Sequence, residues 1–390
     1  MWPVIKAMIL SSHSSGRPVN INSFISLGDS YSAGIGTPLP PSIKENACRQ
    51  GNGAYPYLLA LDLLPPNSTT NDTNTFQWLS CTGSTTADIL SSPSTGNSSQ
   101  TQIDTFTTFP HTPDFATLSI GGNDLGFFDV MNACVFRFYS FYSGTCEAAL
   151  AASDAAIQSP EFELRLKLVL REILDKIRWE KHPDFFIAVT GYARFFDTLT
   201  EGCNNASLGV WWGGGGQGTK LTTEGAVEGV NAMFGRRGRR KVMFVDFDDM
   251  FKGHRFCEEG VEEPDYERQE TWFFLPGGGD KNERNGTGGE DWKGMELLED
   301  GSVLVHPERC LEGAERSGDW GERALCYMAI AKKRDPSLRL KEGMVGKNSM
   351  WYVPTYYGKT FHPRSLGHGA IRGKMYEVWR EHGIVIEPRR

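Results

Sequence analysis

No run of 18 apolar residues occurs anywhere in the 390-residue chain, which argues against a membrane-spanning helix. No Cys-x-x-Cys pair exists among the eight cysteines, so the close spacing usual for a zinc site is missing and metal is disfavoured. Positive charge is not in excess either. The net charge of -8 disfavours a nucleic-acid partner, because phosphate binding needs a basic footprint. The one basic cluster, Arg236-Arg237-Gly238-Arg239-Arg240-Lys241, runs straight into the apolar Val242-Met243-Phe244-Val245. It reads as a solvated loop before a strand rather than a localisation signal. No internal repeat is evident, and "VWWGGGGQG" (Val210–Gly218) lacks the Gly-Lys-Ser/Thr of a phosphate-binding loop. At the N-terminus, "MWPVIKAMILSSHSSG" has only a short apolar stretch broken by Lys6, a poor fit to a secretory signal.

What is present describes a globular chain, 39% hydrophobic and 23% charged, long enough for one large domain with insertions or for two domains. The cysteines (Cys48, Cys81, Cys134, Cys146, Cys203, Cys257, Cys310, Cys326) are even in number. Asn-x-Ser/Thr sequons begin at Asn67, Asn71, Asn97, Asn205 and Asn285 in polar, loop-like sequence. Together they suggest an oxidising, secretory compartment; the N-terminus fits only if its start is wrong or truncated, or the protein is not secreted by that route.

Apolar runs alternate with helix-like segments. Strands are expected at Phe24–Leu27, Phe76–Leu79, Phe115–Ile120, Asp184–Thr190 and Val242–Phe247, and helices at Ala54–Leu64, Pro160–Glu180 and Ser365–His382. For the helix from Pro160, Ser159 is the expected N-cap, and Leu164, Leu168, Ile173, Leu174 and Ile177 carry the apolar pattern. Such alternation implies a parallel sheet with helices on both faces, binding its ligand beyond the carboxyl ends of the strands. Ser30 and Gly121-Gly122-Asn123 both follow strand ends, so both can lie on that edge. Glu258–Gly301 is acidic and glycine-rich without clear periodicity, as a lid or flexible insertion would be.

"FISLGDSYSAG" (Phe24–Gly34) ends a strand on a serine. A serine hydroxyl needs a base within hydrogen-bond reach, and acyl transfer needs donors aimed at the developing oxyanion. Gly83 in "SCTGSTTADIL" allows a close backbone N–H, and Asn123 in "SIGGNDLGF" brings an uncharged amide donor. His362 in "GKTFHPRSLGHGAI" is fixed between Pro363 and a following helix. Against these stand plainer roles: Ser30 and Gly83 as turn residues, and Asn123 as a helix cap. Asp29 and Asp124 are read as helix caps or loop braces. His368 is read as a helix-face residue rather than a ligand, and His254 as structural. Trp211 and Trp212 fit a sugar or acyl platform or a core anchor. Trp272, Phe273, Phe274 and Trp292 allow a lid reading that the sequence does not favour.

These stretches resemble, in order, the conserved blocks of the SGNH (GDSL-type) hydrolase superfamily, and within it the disulfide-bonded secreted esterases and lipases. The resemblance spans Phe24 to about Ile371 and includes "VDFDDMFKGHRFCEE" around Val245–Glu259. It implies Ser30 as nucleophile, the N–H groups of Ser30 and Gly83 and the Asn123 side chain as oxyanion hole, and His362 as base. It also implies the pairs Cys48–Cys81, Cys134–Cys146 and Cys203–Cys257, leaving Cys310–Cys326 by subtraction. Most members carry an aspartate three residues before the histidine. Here that position is Lys359, so a backbone carbonyl, of Lys359 or Thr360, is the expected orienter in a Ser-His dyad.

The expectation is therefore a three-layer α/β/α sandwich with a parallel, flavodoxin-like sheet. Residues 1–20 form an N-terminal segment, and residues 21–390 one hydrolase domain with a loop-rich insertion over about 258–350. The expected protein is a secreted, monomeric serine esterase or lipase acting on a lipid, small acyl ester or acetylated sugar. It uses no metal or organic cofactor and has no nucleic-acid partner or transmembrane segment. Two alternatives stay open: an acetylesterase acting on acetylated carbohydrates, and a non-catalytic secreted module binding glycans or a partner on the same fold.

Overall fold

The computed structural model describes residues 19–40, 43–65, 75–91, 100–108, 112–131, 133–134, 146–197, 242–263, 265–275, 278–280 and 355–386, with short pieces between 295 and 334. The five sequons, Trp211, Trp212, Trp292, the basic cluster at 236–241, and Cys203, Cys310 and Cys326 lie outside the described residues.

The chain runs β1 (Phe24–Gly28), α1 (Ser30–Ala33), α2 (Tyr55–Leu63), β2 (Phe76–Trp78), α3 (Thr86–Ile89), α4 (Gln102–Thr105), β3 (Phe115–Ser119) and α5 (Phe127–Met131). It continues through α6 (Cys146–Ile157), α7 (Pro160–Ile177), β4 (Phe186–Thr190), β5 (Val242–Val245), β6 (Met295–Leu297), β7 (Val303–Val305), α8 (Thr355–Gly358) and α9 (Ser365–Glu381). β1 to β5 form one parallel sheet in the order β2-β1-β3-β4-β5, the flavodoxin-like doubly wound order. β6 and β7 form a separate antiparallel pair.

Strands buried on both faces read as continuous apolar runs, which is why the sequence announced them. Alternate residues feed two cores. Phe24, Phe76, Phe115 and Phe186 face α2 and α9, whereas Ile25, Leu27, Ala116, Leu118 and Ile187 face α7 with Ile89 and Ile103. The four phenylalanines form a row across neighbouring strands, with ring centroids 4.6, 4.6 and 5.3 Å apart. Trp379 of α9, fully buried, packs edge-on against Phe115 and Phe186. Burying such a side chain contributes about 1.5–3 kcal/mol, so this row anchors the end of the sheet opposite the strand tips.

Two expectations needed correction. Ser159 does cap α7, accepting from the Phe162 N–H, but the helix ends at Ile177, where Arg178 turns into the left-handed region at φ 55. Its buried face is Val169, Ile173 and Ile177, while Leu164 and Leu168 are 55% and 41% exposed. Stepping back from Ile177 at helical spacing leads through Ile173 and Val169, which leaves Leu164 and Leu168 on another face.

The disulfides Cys48–Cys81 and Cys134–Cys146 are present, and Cys257 is also disulfide-bonded. Among the described residues no helix is long and apolar enough to cross a membrane.

Candidate active site

The registers of β1 and β3 bring Gly28 opposite Ser119, so the two strands end together. Gly28 has φ +131, and a Cβ there would meet the Ser119 carbonyl oxygen at 2.1 Å; only glycine allows this close approach. The next residue, Asp29, caps α1: its Oδ1 accepts from the Tyr31 N–H at 3.0 Å. Ser30 is therefore the first residue of a helical turn set on a buried strand tip. Gln102 fixes that tip further. Its side chain accepts from the Gly28 N–H and donates to the Gly28 carbonyl, both at 2.8 Å, and also donates to Ser84 Oγ at 3.0 Å.

The histidine arrives from the other end of the chain. Phe361, at φ +63, lies in the left-handed region that side chains rarely adopt, and aims the following residue inward. Main-chain pairing holds this turn against 272–274. The Phe361 N–H donates to Phe274 O at 3.0 Å, Phe274 N–H to His362 O at 3.0 Å, and Arg364 N–H to Trp272 O at 2.7 Å. Tyr31 adds a bridge from the serine side, its hydroxyl donating to the Phe361 carbonyl at 2.9 Å. Phe273, Phe274 and Leu275 are fully buried, so this part of the sequence-expected insertion is core rather than cover.

The result is a contact between residues 332 positions apart: His362 Nε2 lies 2.6 Å from Ser30 Oγ. The other ring nitrogen, Nδ1, is 3.1 Å from the Thr360 carbonyl. A carbonyl only accepts, so Nδ1 carries the proton and Nε2 is the acceptor for the serine hydroxyl. Of the two carbonyls considered, Thr360 takes the ring, whereas Lys359 O accepts the His362 backbone N–H at 2.8 Å. Burial pulls the imidazole down to about 4, partly opposed by those two carbonyls, which keeps the ring neutral at neutral pH. The Lys359 side chain packs its stem on Gly36 and sets its ammonium 5.0 Å over the Phe274 ring.

Asp29, Ser30, Tyr31, Gly122, Asn123, Phe127, Tyr192, Phe195 and His362 line one small pocket, with about 240 Å³ of empty space including its mouth. Gly83 is not in that wall. It stands one residue before Ser84, whose carbonyl accepts from Asn123 Nδ2 at 2.9 Å, and it has φ +87. The backbone N–H groups of Ser30 and Gly83 have no protein acceptor among the described residues. Asp124 caps α3, accepting from the Thr86 N–H and hydroxyl at 2.9 and 2.6 Å. His368 is buried in α9 and its Nδ1 faces the Tyr55 N–H at 3.3 Å, while His254 stacks on Trp272. Neither reaches the pocket. Among the described residues no cluster of histidine, cysteine or carboxylate could hold a metal ion.

Sequence reasoning missed Gln102, Phe127, Tyr192 and Phe195. Tyr192 had a usable signal. It follows the end of β4 as Ser30 follows β1 and Asn123 follows β3, and residues after parallel strand tips meet at one edge.

Residues 26–266 match the model of the GDSL-like Lipase/Acylhydrolase family, and the chain belongs to that family. "Lipase 1" of Streptomyces coelicolor is 28% identical over 244 residues, covering 62% of this chain and 76% of that protein. "Lipase" of Streptomyces rimosus is 27% identical over 259 residues, covering 66% and 81%. Among solved structures, phospholipase A1 from Streptomyces albidoflavus NA297 aligns with a TM-score of 0.39 at 24% identity, over 61% of this chain and 84% of that one. The protein is a carboxylic ester hydrolase of the serine esterase and lipase kind. The family match ends before His362, whose assignment therefore stands on geometry.

Proposed function

We propose that Ser30 and His362 form the catalytic dyad of this ester hydrolase, with the Ser30 N–H, the Gly83 N–H and the Asn123 amide as oxyanion donors. The observation that carries the reading is the 2.6 Å contact between Ser30 Oγ and His362 Nε2, on a ring whose other nitrogen is committed to Thr360. Ser30 Oγ bonds to the acyl carbon as its proton passes to Nε2, and the carbonyl electrons move onto oxygen. The bond to the alcohol oxygen then breaks, and Nε2 gives that oxygen its proton. Water attacks the acyl-serine, again losing a proton to Nε2. The acid departs and Oγ regains the proton.

Phe127 and Phe195 support an apolar acyl group as the moiety held beside Ser30. That favours lipid or short acyl esters over acetylated sugars. The disulfides support an oxidising, extracytoplasmic location; Cys257 is disulfide-bonded, and the family resemblance implies Cys203 as its partner. The test is hydrolysis of p-nitrophenyl acetate, butyrate and palmitate by the wild type and Ser30→Ala. The wild type turns over an acyl chain longer than acetate best, and Ser30→Ala loses at least about 10³-fold in kcat. Equal turnover by the mutant overturns the assignment, and a clear acetate preference moves the substrate to acetylated carbohydrates.

A further inference from the structure

The dyad leaves the partly buried Tyr192 in the pocket wall without a use. The Tyr192 hydroxyl donates to Asp29 Oδ2 and accepts from the Gly122 N–H, the latter at 3.0 Å. Asp29 is 1% exposed, and its other oxygen takes the Tyr31 N–H at 3.0 Å and the Ser119 hydroxyl at 3.1 Å. The Tyr192 ring meets Tyr31 edge-on at 4.8 Å, and a Cβ on Gly122 would meet the Tyr192 hydroxyl at 3.2 Å. One hydroxyl thus joins the residue before Ser30 to the residue before Asn123. On its far side the same loop is tied by Asn123 to Ser84.

We infer that Tyr192 is a positioning residue for ester hydrolysis, its hydroxyl holding the Gly122–Asn123 loop in register with Ser30 through Asp29. The inference rests on the reading of Asn123 as an oxyanion donor. A donor stabilises the transition state only where it meets the oxygen as charge develops, so loosening the loop lowers kcat and leaves substrate binding nearly untouched. Losing a donor outright costs about 10²–10³ in kcat; losing its brace costs less, about tenfold to a hundredfold.

A second readout separates positioning from bulk structure. The titratable groups around Asp29 are Tyr31 of α1, Tyr55 of α2, Asp124 after β3, Tyr192 after β4, and His362 across the pocket. Burial raises the Asp29 carboxyl to about 7, with the Tyr192, Tyr31 and Ser119 hydrogen bonds pulling it down and Asp124 pushing it up. Ionised, Asp29 is the stronger acceptor for Tyr192, so the brace weakens as pH falls through that value. Removing the tyrosine hydroxyl removes the brace through which Asp29 ionisation acts, so the acid limb near 7 vanishes. His362, held near 4, titrates well below this limb.

The experiment is kcat and KM for p-nitrophenyl butyrate from pH 5 to 9 on wild type, Tyr192→Phe, Asp29→Asn and Ser30→Ala. Tyr192→Phe keeps the ring and its packing. Above pH 7 it should lose about tenfold to a hundredfold in kcat with KM within about twofold, and the wild-type acid limb near 7 should be absent. A wild-type kcat and limb in Tyr192→Phe, or an equal loss at every pH, overturns the inference. If Tyr192→Phe does not fold, Asp29→Asn decides: the limb near 7 must vanish, and its persistence overturns the inference. Activity surviving in Ser30→Ala instead rejects the dyad itself, a different failure.

Discussion

The two halves of the proposed dyad are held by different physics. Ser30 is set by its neighbours and by the sheet: the close approach of Gly28 to Ser119, the Asp29 cap, and Gln102 on the strand tip. His362 is held locally only by the Thr360 and Lys359 carbonyls of its own turn. The helix before it, α8, is only four residues long, and the turn is fixed by pairing with 272–274, almost ninety residues earlier. Even the start of α9 is capped from a distance, by Asp280 accepting the Ser365 N–H at 2.7 Å. The proposed nucleophile comes with the sheet, whereas the proposed base also depends on long-range main-chain contacts.

The sharpest way to break this contrast is Phe273→Ala. Phe273 is fully buried and packs on Phe195, Phe251 and Phe256, with centroids at 5.3, 4.9 and 5.9 Å. Truncation should cost about 3–5 kcal/mol in denaturant unfolding. In the protein that remains folded, kcat should fall while far-UV circular dichroism keeps the sheet signature. Unchanged kcat would mean that the histidine turn stands without the 272–274 segment.

A smaller effect comes from pH. Burial depresses His362 to about 4 and His368 to about 3, so the unfolded chain takes up their protons near 6.5 and the folded chain does not. The stability they leave intact above 6.5 is lost as pH falls toward 4. Asp29, on the serine side, has the opposite sign. Its folded-state value is raised to about 7, so the folded chain binds its proton first, and stability is gained as pH falls from there. Asp29→Asn removes the gain and keeps the loss. Its Tm should therefore fall more steeply than that of the wild type between pH 7 and 5. Parallel curves would contradict the assignment of opposite signs to the two regions.

The smallest expected effect is at Lys359→Ala. Because the Thr360 carbonyl, and no side chain at 359, meets His362 Nδ1, kcat should stay within about threefold of wild type, a change of under 1 kcal/mol in the barrier. A loss beyond about tenfold would show that the lysine itself supports the base.

The same asymmetry governed what could be read in advance. Five strands, the long helices and the strand-tip residues Ser30 and Asn123 were legible, because burial on both faces writes continuous apolar runs and small residues mark where they stop. Apart from the family resemblance, which implied it as the base for Ser30, His362 was legible only as a histidine beside a proline, and its pairing with 272–274 was not, because main-chain pairing leaves no side-chain signature. For that reason Trp272, Phe273 and Phe274 looked open to a lid reading, and the choice between the Lys359 and Thr360 carbonyls needed coordinates. Tyr192 and Gln102 were missed because single polar contacts between distant loops have no period. Leu164 and Leu168 misled because counting apolar residues does not fix the angle of a helix face.

The central claim is that His362 activates Ser30. It is tested most directly by treating the folded protein with a fluorophosphonate and locating the adduct by peptide mass. The account predicts a single adduct on Ser30, absent in Ser30→Ala and slowed at least about 10³-fold in His362→Ala. No adduct on the folded wild type, or the same rate without the histidine, would contradict it.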